Sequence, residues 1–380
     1  MSEKLQREDK QKADPFSEAV ARIEQARKTG ATELDLSFLG LLKLPESLAQ
    51  LTKLQWLDLS HNQFTALPQS LANLTQLRLL DLTGNKLRVL PKSVGQLTKL
   101  QTLNLAHNKL IELPESIGQL AQLRELNFAD NRVSILTASI GRLIQLEQLV
   151  VANNRIAELP TFIGQLTRLQ ILDISLNKLP SLPEAIGQLT QLQNLALSEN
   201  RLTVLPDVIC RLNKLQKLYV DDNQLTELPE CMGFLIKLRT LVLLGNQLGA
   251  LPSSLQNLSS LRELFLHKNI SLRIPTELLG PEPRVWVNAH SRIRSIDTEK
   301  NERIVSPQTL LDYYFRSRVE KHPLNEAKLI LVGRGAVGKT SLVNRLVHNK
   351  FAKDEKKTEG INITEWKLRL NGTEDVRLNI

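Results

Sequence analysis

Asparagine recurs every 23 residues along most of the chain, and each of these asparagines closes the pattern L-x-x-L-x-L-x-x-N. The ten positions are Asn62, Asn85, Asn108, Asn131, Asn154, Asn177, Asn200, Asn223, Asn246 and Asn269. Proline keeps the same spacing from Pro45 to Pro275, and only Thr137 interrupts its row. Self-similarity at one fixed period predicts a solenoid, in which each repeat contacts only its neighbours.

The repeated unit has the form of a leucine-rich repeat, with a short strand, an asparagine turn and a return segment L-P-x-x-I-G-Q-L. We predict an α/β fold whose main part is a solenoid of about eleven 23-residue repeats over residues 31–280. The first repeat is atypical because Leu39 replaces its asparagine. The asparagine amides would bond the backbone of their own turn and of the next repeat. Strands stacked about 4.8 Å apart would form a concave parallel sheet on the order of 50 Å long, large enough to bind a protein.

Residues 1–30 are predicted to form a polar tail and an amphipathic capping helix. Asp14 and Pro15 make a favourable helix start, and Gly30 would end the helix. One face carries apolar side chains at helical spacing, namely Phe16, Ala19, Val20, Ile23 and Ala26. We interpret this helix as a lid over the exposed core of the first repeat.

Residues 281–325 lose the 23-residue period and are predicted to cap the other end of the solenoid and to connect it to the next domain. We expect a short strand and a polar loop over residues 281–303. A helix should start at Ser306-Pro307 and continue through Phe315, with an apolar side that seals the last repeat.

The net charge of +9 is unevenly distributed. Residues 281–380 contain 19 Lys and Arg against 13 Asp and Glu, an excess of +6, so most of the positive charge lies outside the repeats. No basic stripe with interleaved aromatic residues is present, and we do not expect nucleic acid to be the main partner. The sequence has neither a signal-type apolar core nor the ~18 apolar residues of a membrane span, which predicts a soluble, cytoplasmic protein.

The two cysteines, Cys210 and Cys231, lie in adjacent repeats but out of register with each other. No cysteine cluster caps either end of the solenoid, as secreted disulfide-stapled domains tend to show. We interpret both cysteines as ordinary solenoid positions.

A second kind of motif begins after residue 326. Gly333-Arg334-Gly335-Ala336-Val337-Gly338-Lys339-Thr340-Ser341 satisfies the phosphate-loop pattern G-x-x-x-x-G-K-[ST]. The glycines let successive backbone N–H groups point at phosphates, Lys339 would supply a charge at the β and γ phosphates, and the Thr340 hydroxyl could ligate Mg²⁺. The apolar strand predicted at Lys328–Val332 and the helix predicted at Ser341–Phe351 supply the expected context.

The segment after this helix completes a familiar order of elements. A charged run leads to Thr358, in a loop that could close over a γ-phosphate. Two strand-like runs then flank Asn371-Gly372, the strongest short hairpin signal. Strand, phosphate loop, helix, switch-like loop and antiparallel hairpin is the opening order of small GTPases, and we assign residues 326–380 to the N-terminal part of such a domain.

The 23-residue repeats, the S-P-x-x-L-L-D-Y-Y-F connector, the G-x-G-x-V-G-K-T-S loop and T-E-G-I-x-I together resemble a bacterial Roco protein, in which leucine-rich repeats precede a Ras-of-complex (Roc) GTPase. The resemblance implies GTP or GDP and Mg²⁺ as ligands. It also implies a following dimerising domain, and hence a homodimeric parent protein. By motif match, Lys339 and Thr340 would serve phosphate and magnesium, and Thr358 would be the switch threonine that senses the γ-phosphate and also ligates Mg²⁺.

Two family motifs are not found after the phosphate loop. One is the D-x-x-G loop, which should follow the strand at the end of the chain, and the other is the N/T-K/H-x-D motif that selects guanine. We therefore expect the GTPase region to be incomplete here. GTP hydrolysis is expected of the complete parent protein and not of the chain as given, and no catalytic residue can be assigned.

The concave face is the predicted partner-binding surface. Its outward positions are rich in acids, among them Asp58, Asp81, Asp221 and Asp222, and also carry Trp56, Tyr219 and Phe265. Large aromatics surrounded by charges are typical of binding anchors. We predict that this face engages a basic protein surface, one candidate being the chain's own positively charged residues 281–380. A merely solvated polar face is the alternative.

Two functions remain open from the sequence alone. The first is a GTP-binding molecular switch with a repeat surface for a protein partner, and the second is a non-enzymatic repeat scaffold. Nucleotide binding would separate them. An ATP-driven immune-type receptor usually places its nucleotide domain before the repeats, and a repeat-bearing ubiquitin ligase would need a cysteine after them, which residues 281–380 lack.

Overall fold

The computed structural model of the protein describes residues 14–280, 284–287, 294–297, 305–319, 326–328, 365–370 and 374–379. The chain divides into two compact units, Met1–Tyr313 and Tyr314–Ile380, and each is described by itself.

The first unit begins with helix α1, Pro15–Thr29. The Asp14 carboxylate accepts the Ser17 N–H at 3.2 Å, and Gly30 ends the helix in the left-handed conformation at φ 65°. The residues buried on its inner face are Ala19, Ile23 and Ala26, whereas Phe16 remains 37% exposed. Since α1 contacts the first strand and the first return helix, the predicted lid over the first repeat is confirmed.

Eleven short strands form one parallel sheet in sequential order. They are β1 Glu33–Asp35, β2 Trp56–Asp58, β3 Leu79–Asp81, β4 Thr102–Asn104, β5 Glu125–Asn127, β6 Gln148–Val150, β7 Ile171–Asp173, β8 Asn194–Ala196, β9 Lys217–Tyr219, β10 Thr240–Val242 and β11 Glu263–Phe265. Each strand pairs with the next at an offset of 23 residues, as Leu34 pairs with Leu57. The strand spacing therefore follows directly from the sequence period.

Each strand is followed by a return segment that contains a short 3₁₀ helix. These helices are Glu46–Gln50, Gln69–Asn73, Lys92–Gln96, Glu115–Gln119, Ala138–Arg142, Thr161–Gln165, Glu184–Gln188, Asp207–Arg211, Glu230–Phe234, Ser253–Asn257 and Ile270–Leu272. Proline precedes nine of the first ten 3₁₀ helices. Its ring fixes φ near the value that the residue before each helix adopts. Thr137 takes the same conformation at φ −67° and ψ 140° without the proline ring.

The asparagines form a continuous ladder of hydrogen bonds. Asn62 donates its amide to the carbonyls of Leu36, Leu59 and Ser60, and its Oδ1 accepts the Leu41 N–H at 2.9 Å. The same four bonds recur in most later repeats. Each asparagine thus bonds its own turn and the preceding repeat, whereas the sequence analysis had placed the second partner in the next repeat.

The residue before each asparagine, and Phe38 before Leu39, lies in the left-handed region, with φ between 51° and 68° in all eleven repeats. Glycine occupies this position only at Gly84 and Gly245. For other residues this conformation is uncommon and usually costs on the order of 1 kcal/mol. The asparagine ladder stabilises the turn that requires it.

The two cysteines form a disulfide, with Cα atoms 5.8 Å apart, so their interpretation as ordinary solenoid positions was wrong. The misleading feature was their separation of 21 residues, which is not the repeat period. Return segments of adjacent repeats are staggered, so residues 21 apart face each other, as in the Leu41–Asn62 hydrogen bond. Contact across this solenoid therefore follows two offsets, 23 between strands and 21 at the turns.

A short helix and a pair of strands follow the last strand of the large sheet. Helix α2 spans Thr276–Leu279, and β12 Arg284–Val287 pairs with β13 Arg294–Asp297 in an antiparallel sheet. The sequence predicted one strand in this region and missed the second. Helix α3, Pro307–Val319, starts where predicted, and its Leu310, Leu311 and Tyr314 side chains are buried. Its role as a seal over the last repeat stays a prediction.

The second unit contains a three-stranded sheet in the order β14-β16-β15. Strand β14 spans Glu326–Lys328, and β15 Glu365–Leu370 pairs antiparallel with β16 Glu374–Asn379. The hairpin predicted around Asn371-Gly372 is confirmed. Strand β14 pairs with β16 in parallel.

Candidate functional site

The face of the sheet opposite the leucine core, called the outer sheet face below, is built from residues in register on adjacent strands. Its central row takes one residue from each strand, namely Asp35, Asp58, Asp81, Asn104, Asn127, Val150, Asp173, Ala196, Tyr219, Val242 and Phe265. Neighbouring side chains in this row project from paired strands and can contact each other. The row begins acidic and becomes apolar toward its C-terminal end.

The acidic half contains three aspartates in register, Asp35, Asp58 and Asp81. Asp58 and Asp81 are half-buried, and each accepts at 2.8 Å the backbone N–H of the residue two positions later. These bonds give the carboxylates a structural role in the turn. The second oxygen of Asp81 accepts a hydrogen bond from Asn104 Nδ2 at 3.1 Å. Like charges directly opposite one another disfavour the sheet, so a cationic partner would relieve them.

Trp56 lies in register between Glu33 and Leu79 beside this acidic half. Its side chain is half-buried. Of the three aromatic residues predicted to be binding anchors, it is the one that keeps exposed surface. A half-exposed tryptophan beside carboxylates can pack against the apolar stem or the charged head of a lysine or arginine.

The C-terminal residues of the row, Ala196, Tyr219, Val242 and Phe265, form an apolar cluster together with Leu244, which follows β10. Tyr219 and Phe265 are each 2% exposed, so the prediction that they form exposed anchors was wrong. Taken singly, each outward aromatic residue is expected to be exposed. Reading the row at an offset of 23 would have placed Val242 between the two aromatics and predicted their mutual burial.

Polar groups surround the Tyr219 hydroxyl. Burial raises its pKa, and the negative charges of Glu263, Asp221 and Asp173 raise it further. Asp221 is 2% exposed and accepts a hydrogen bond from Ser198 Oγ, and Glu263 Oε2 accepts one from Thr240 Oγ1 at 2.6 Å. Burial and these negative charges make the Tyr219 hydroxyl harder to ionise. This cluster also removes Asp221 from the accessible surface predicted to bind a partner.

Asp222 has a different position from the one predicted. It is exposed, but it lies in the left-handed turn at φ 51° and not on a strand. Asp130 and Glu199 occupy the same turn in their repeats. The charges at these sites form a row along the rim of the sheet and do not lie within its face.

The predicted nucleotide site lies outside the described residues. This applies to Gly333, Gly335, Ala336, Val337, Gly338, Lys339, Thr340, Ser341 and Thr358. The structure describes the strand before this loop, β14, and the hairpin after it. The donor set itself fits a phosphate group and Mg²⁺, since it combines backbone N–H groups, one lysine and two threonine hydroxyls.

Comparisons with known families match both parts of the chain. Leucine-rich-repeat models match residues 29–87, 69–151 and 124–221. The model described as the Ras of Complex, Roc, domain of DAPkinase matches residues 328–380. The chain is a leucine-rich-repeat protein of Roco-type architecture. The predicted resemblance and fold class are thereby confirmed, with the repeats first and the Roc region second.

Solved structures resemble the repeats. A leucine-rich-repeat protein of Leptospira interrogans is 36% identical with a TM-score of 0.59, and the match covers 64% of this chain and 69% of that one. The ectodomain of the receptor kinase GASSHO1/SCHENGEN3 of Arabidopsis thaliana, in complex with CASPARIAN STRIP INTEGRITY FACTOR 2, is 29% identical (TM-score 0.55, 62% and 33% covered). The Drosophila Toll–Spatzle complex is 27% identical (TM-score 0.57, 62% and 34% covered). This chain therefore matches about a third of the length of the latter two proteins.

Two features are absent from the described residues. No helix among them is both long enough and apolar enough to cross a membrane. The same residues contain no group of three or more histidine, cysteine or acidic side chains that could hold a metal ion.

Proposed function

We propose that the protein is a GTP-binding molecular switch, in which the leucine-rich repeats supply a protein-interaction surface and the Roc region supplies the nucleotide response. The observation that carries this proposal is the match of residues 328–380 to the Roc model, over the same residues that contain the phosphate-loop pattern. The corresponding domain organisation is a capping segment at 1–30, repeats at 31–280, a connector at 281–325 and the Roc region at 326–380. A nucleotide switch of this kind works in the cytoplasm, where GTP is supplied.

Within the Roc region each motif residue has an assigned task. The backbone N–H groups of Gly335–Gly338 and the Lys339 ammonium hold the β and γ phosphates of GTP or GDP. The hydroxyls of Thr340 and Thr358 hold Mg²⁺, which neutralises phosphate charge when bound. Thr358 responds to the γ-phosphate and so distinguishes GTP from GDP.

Nucleotide binding is tested by titrating a fluorescent guanine nucleotide into the natural full-length protein. Lys339→Ala is expected to weaken binding at least about tenfold, because it removes a charge-assisted contact from two phosphates. Lys353→Ala, in the charged run beyond the loop, is the matched control and should leave affinity nearly unchanged. Equal affinities for wild type and Lys339→Ala would refute the nucleotide assignment. A complete lack of binding by the wild type would favour the repeat scaffold.

The repeats are proposed to bind a basic protein through the acidic half of the outer sheet face. Support comes from the in-register aspartates, from half-exposed Trp56, and from two similar structures that are complexes. The +6 charge of residues 281–380 makes this part of the chain one candidate partner. We do not propose that this face binds nucleic acid or forms a homodimer contact. The proposal that the parent protein is a dimer comes only from its resemblance to Roco proteins.

The substitutions Asp58→Asn and Asp81→Asn test the acidic face without disturbing the turn. The asparagine Oδ1 can still accept the backbone N–H that the aspartate accepts at 2.8 Å, so the charge changes while the structural bond is kept. Carboxylate–lysine cross-linking should join the acidic half to lysines of a basic partner, and raising salt should reduce the yield. Yields independent of salt and of the double substitution would leave this face without a binding role.

A further inference from the structure

Return segments of neighbouring repeats approach more closely than side chains normally permit. The fourth residue of each 3₁₀ helix is usually glycine and faces the second residue of the next helix, 21 positions later. A Cβ placed on Gly95 would lie 2.8 Å from the Ser116 Cβ and 2.5 Å from the Ser116 carbonyl oxygen. On Gly118 it would lie 2.8 Å from the Ser139 Cβ. Six of the ten five-residue helices have glycine at this position, whereas Ala49, Ala72, Cys210 and Gln256 occupy it in the other four. Glycine therefore permits the closest approach of neighbouring return segments.

Cys210 occupies the glycine position of its helix, and Cys231 occupies the facing position of the next. The side chain at this position is bonded to its neighbour, with the Cα atoms 5.8 Å apart. Bonded cysteines usually hold their Cβ atoms about 3.5–4.5 Å apart, farther than the glycine contacts allow. The disulfide thus replaces the tight glycine contact with a wider, covalent one.

Both cysteine residues are partly exposed, and Cys231 Sγ lies 3.4 Å from the Asp207 carbonyl oxygen at an exposed position. We propose that Cys210 and Cys231 form a reversible thiol–disulfide exchange site, which takes a low-molecular-weight thiol or a dithiol reductase as its reaction partner. In the exchange, a thiolate of the partner attacks one sulfur of the Cys210–Cys231 bond, which forms a mixed disulfide and frees the other cysteine. A second thiolate of the partner then attacks the partner's sulfur in the mixed disulfide and frees the remaining cysteine. Two cysteine thiols and one oxidised partner disulfide result, which balances atoms and electrons.

The reversible character rests on the proposed function, because a GTP switch works in a compartment where disulfides are rarely permanent and are mostly transient or redox-sensing. The bond joins the repeats that begin with β8 and β9, and these strands carry Ala196 and Tyr219 of the apolar cluster on the outer sheet face. Reduction removes the covalent link and leaves two unbonded sulfur atoms at a position where six other return helices carry glycine. The two return segments should therefore loosen and not close up.

The chain supplies its own matched control for the test. The double substitution Cys210→Gly with Cys231→Ser recreates the glycine–serine contact of Gly95 with Ser116, so it should pack tightly without a covalent bond. Wild type and double variant are equilibrated over a series of ratios of reduced to oxidised glutathione, then alkylated and analysed by mass spectrometry. Hydrogen exchange of residues 207–236 is measured at both extremes.

In wild type we expect full interconversion in the folded state and at least about tenfold faster exchange of residues 207–236 after reduction. The double variant should show the same exchange at every ratio. Thiols that remain free in excess oxidised glutathione would overturn the proposal, as would a bond that is reduced only after unfolding, or equal exchange in both wild-type forms. Guanine-nucleotide affinity measured in parallel separates this outcome from failure of the proposed function, since loss of nucleotide binding does not alter the cysteine chemistry.

Discussion

The substitution Asn177→Ala removes one rung of the asparagine ladder in the middle of the solenoid, and its cost can be worked out atom by atom. The side chain is 8% exposed. Its Nδ2 group donates to the carbonyls of Val151, Ile174 and Ser175 at 3.1, 3.1 and 3.0 Å. Its Oδ1 accepts the Ile156 N–H at 3.0 Å. All four bonds disappear in the alanine variant.

The three carbonyls keep other donors after the substitution. Val151 also accepts from Asn154, Ile174 from Asn200, and Ser175 from the backbone of Asn153. Within the described residues, the Ile156 N–H has no second acceptor. One wholly orphaned buried N–H costs about 1–3 kcal/mol, and the weakened carbonyl bonds bring the expected loss to about 2–4 kcal/mol.

Urea unfolding followed by circular dichroism measures this loss. The control is Asn73→Ala, at an exposed position at the end of a return helix, which should change stability by less than about 0.5 kcal/mol. Asn177→Asp should cost more than Asn177→Ala at neutral pH, because a buried carboxylate would then face three carbonyl oxygens. Burial would raise the pKa of that carboxyl, so stability should recover as the pH falls. Equal losses for Asn177→Ala and Asn73→Ala would refute the structural role of the ladder.

Three further perturbations test packing and capping. Leu172→Ala should destabilise the protein by ~2–5 kcal/mol, and Leu34→Ala in the terminal repeat by less, as compared by thermal unfolding, because Leu172 has neighbours on both sides. Gly164→Ala should cost about 1–3 kcal/mol in the same assay, since its Cβ would lie 2.9 Å from a backbone oxygen of the next repeat. Thr137→Pro should add about 0.4–1 kcal/mol, because φ is already −67°. It should also raise the pKa of Glu115, measured by carbon NMR, because the Thr137 hydroxyl bond is the main cause that holds this pKa low. Any stability that this bond contributes is fully present when the pH is above the pKa of Glu115 in the unfolded chain. It is lost as the pH falls through the lower pKa of Glu115 in the folded protein.

The repeats could be predicted almost entirely from the sequence because every repeat has the same length of 23 residues. Leucine, asparagine and proline recur at positions where a single structural requirement is repeated, so ten copies of the signal reinforce one another. The cap at Asp14 and the hairpin at Asn371-Gly372 were predictable for a different reason. Each is specified by local backbone chemistry that needs no knowledge of the rest of the fold.

The errors arose where residues from different repeats meet. The Cys210–Cys231 bond follows the 21-residue stagger of the return segments, which the 23-residue period conceals. Burial of Tyr219 and Phe265 depends on Val242 between them, and thus on neighbours at the strand offset. Asp222 was placed on the sheet because the leucine pattern does not show where a strand ends. In the structure the left-handed turn already includes Asp222, the residue before Asn223.

The central claim is that nucleotide in the Roc region controls the recognition surface of the repeats. It is tested most directly by hydrogen exchange of strands β1–β11 in the natural full-length protein, loaded in turn with GDP and with a non-hydrolysable GTP analogue. We expect protection of the outer sheet face to differ between the two states, and this difference to vanish in Lys339→Ala. Identical exchange in both nucleotide states, with nucleotide binding confirmed in the same sample, would contradict the claim.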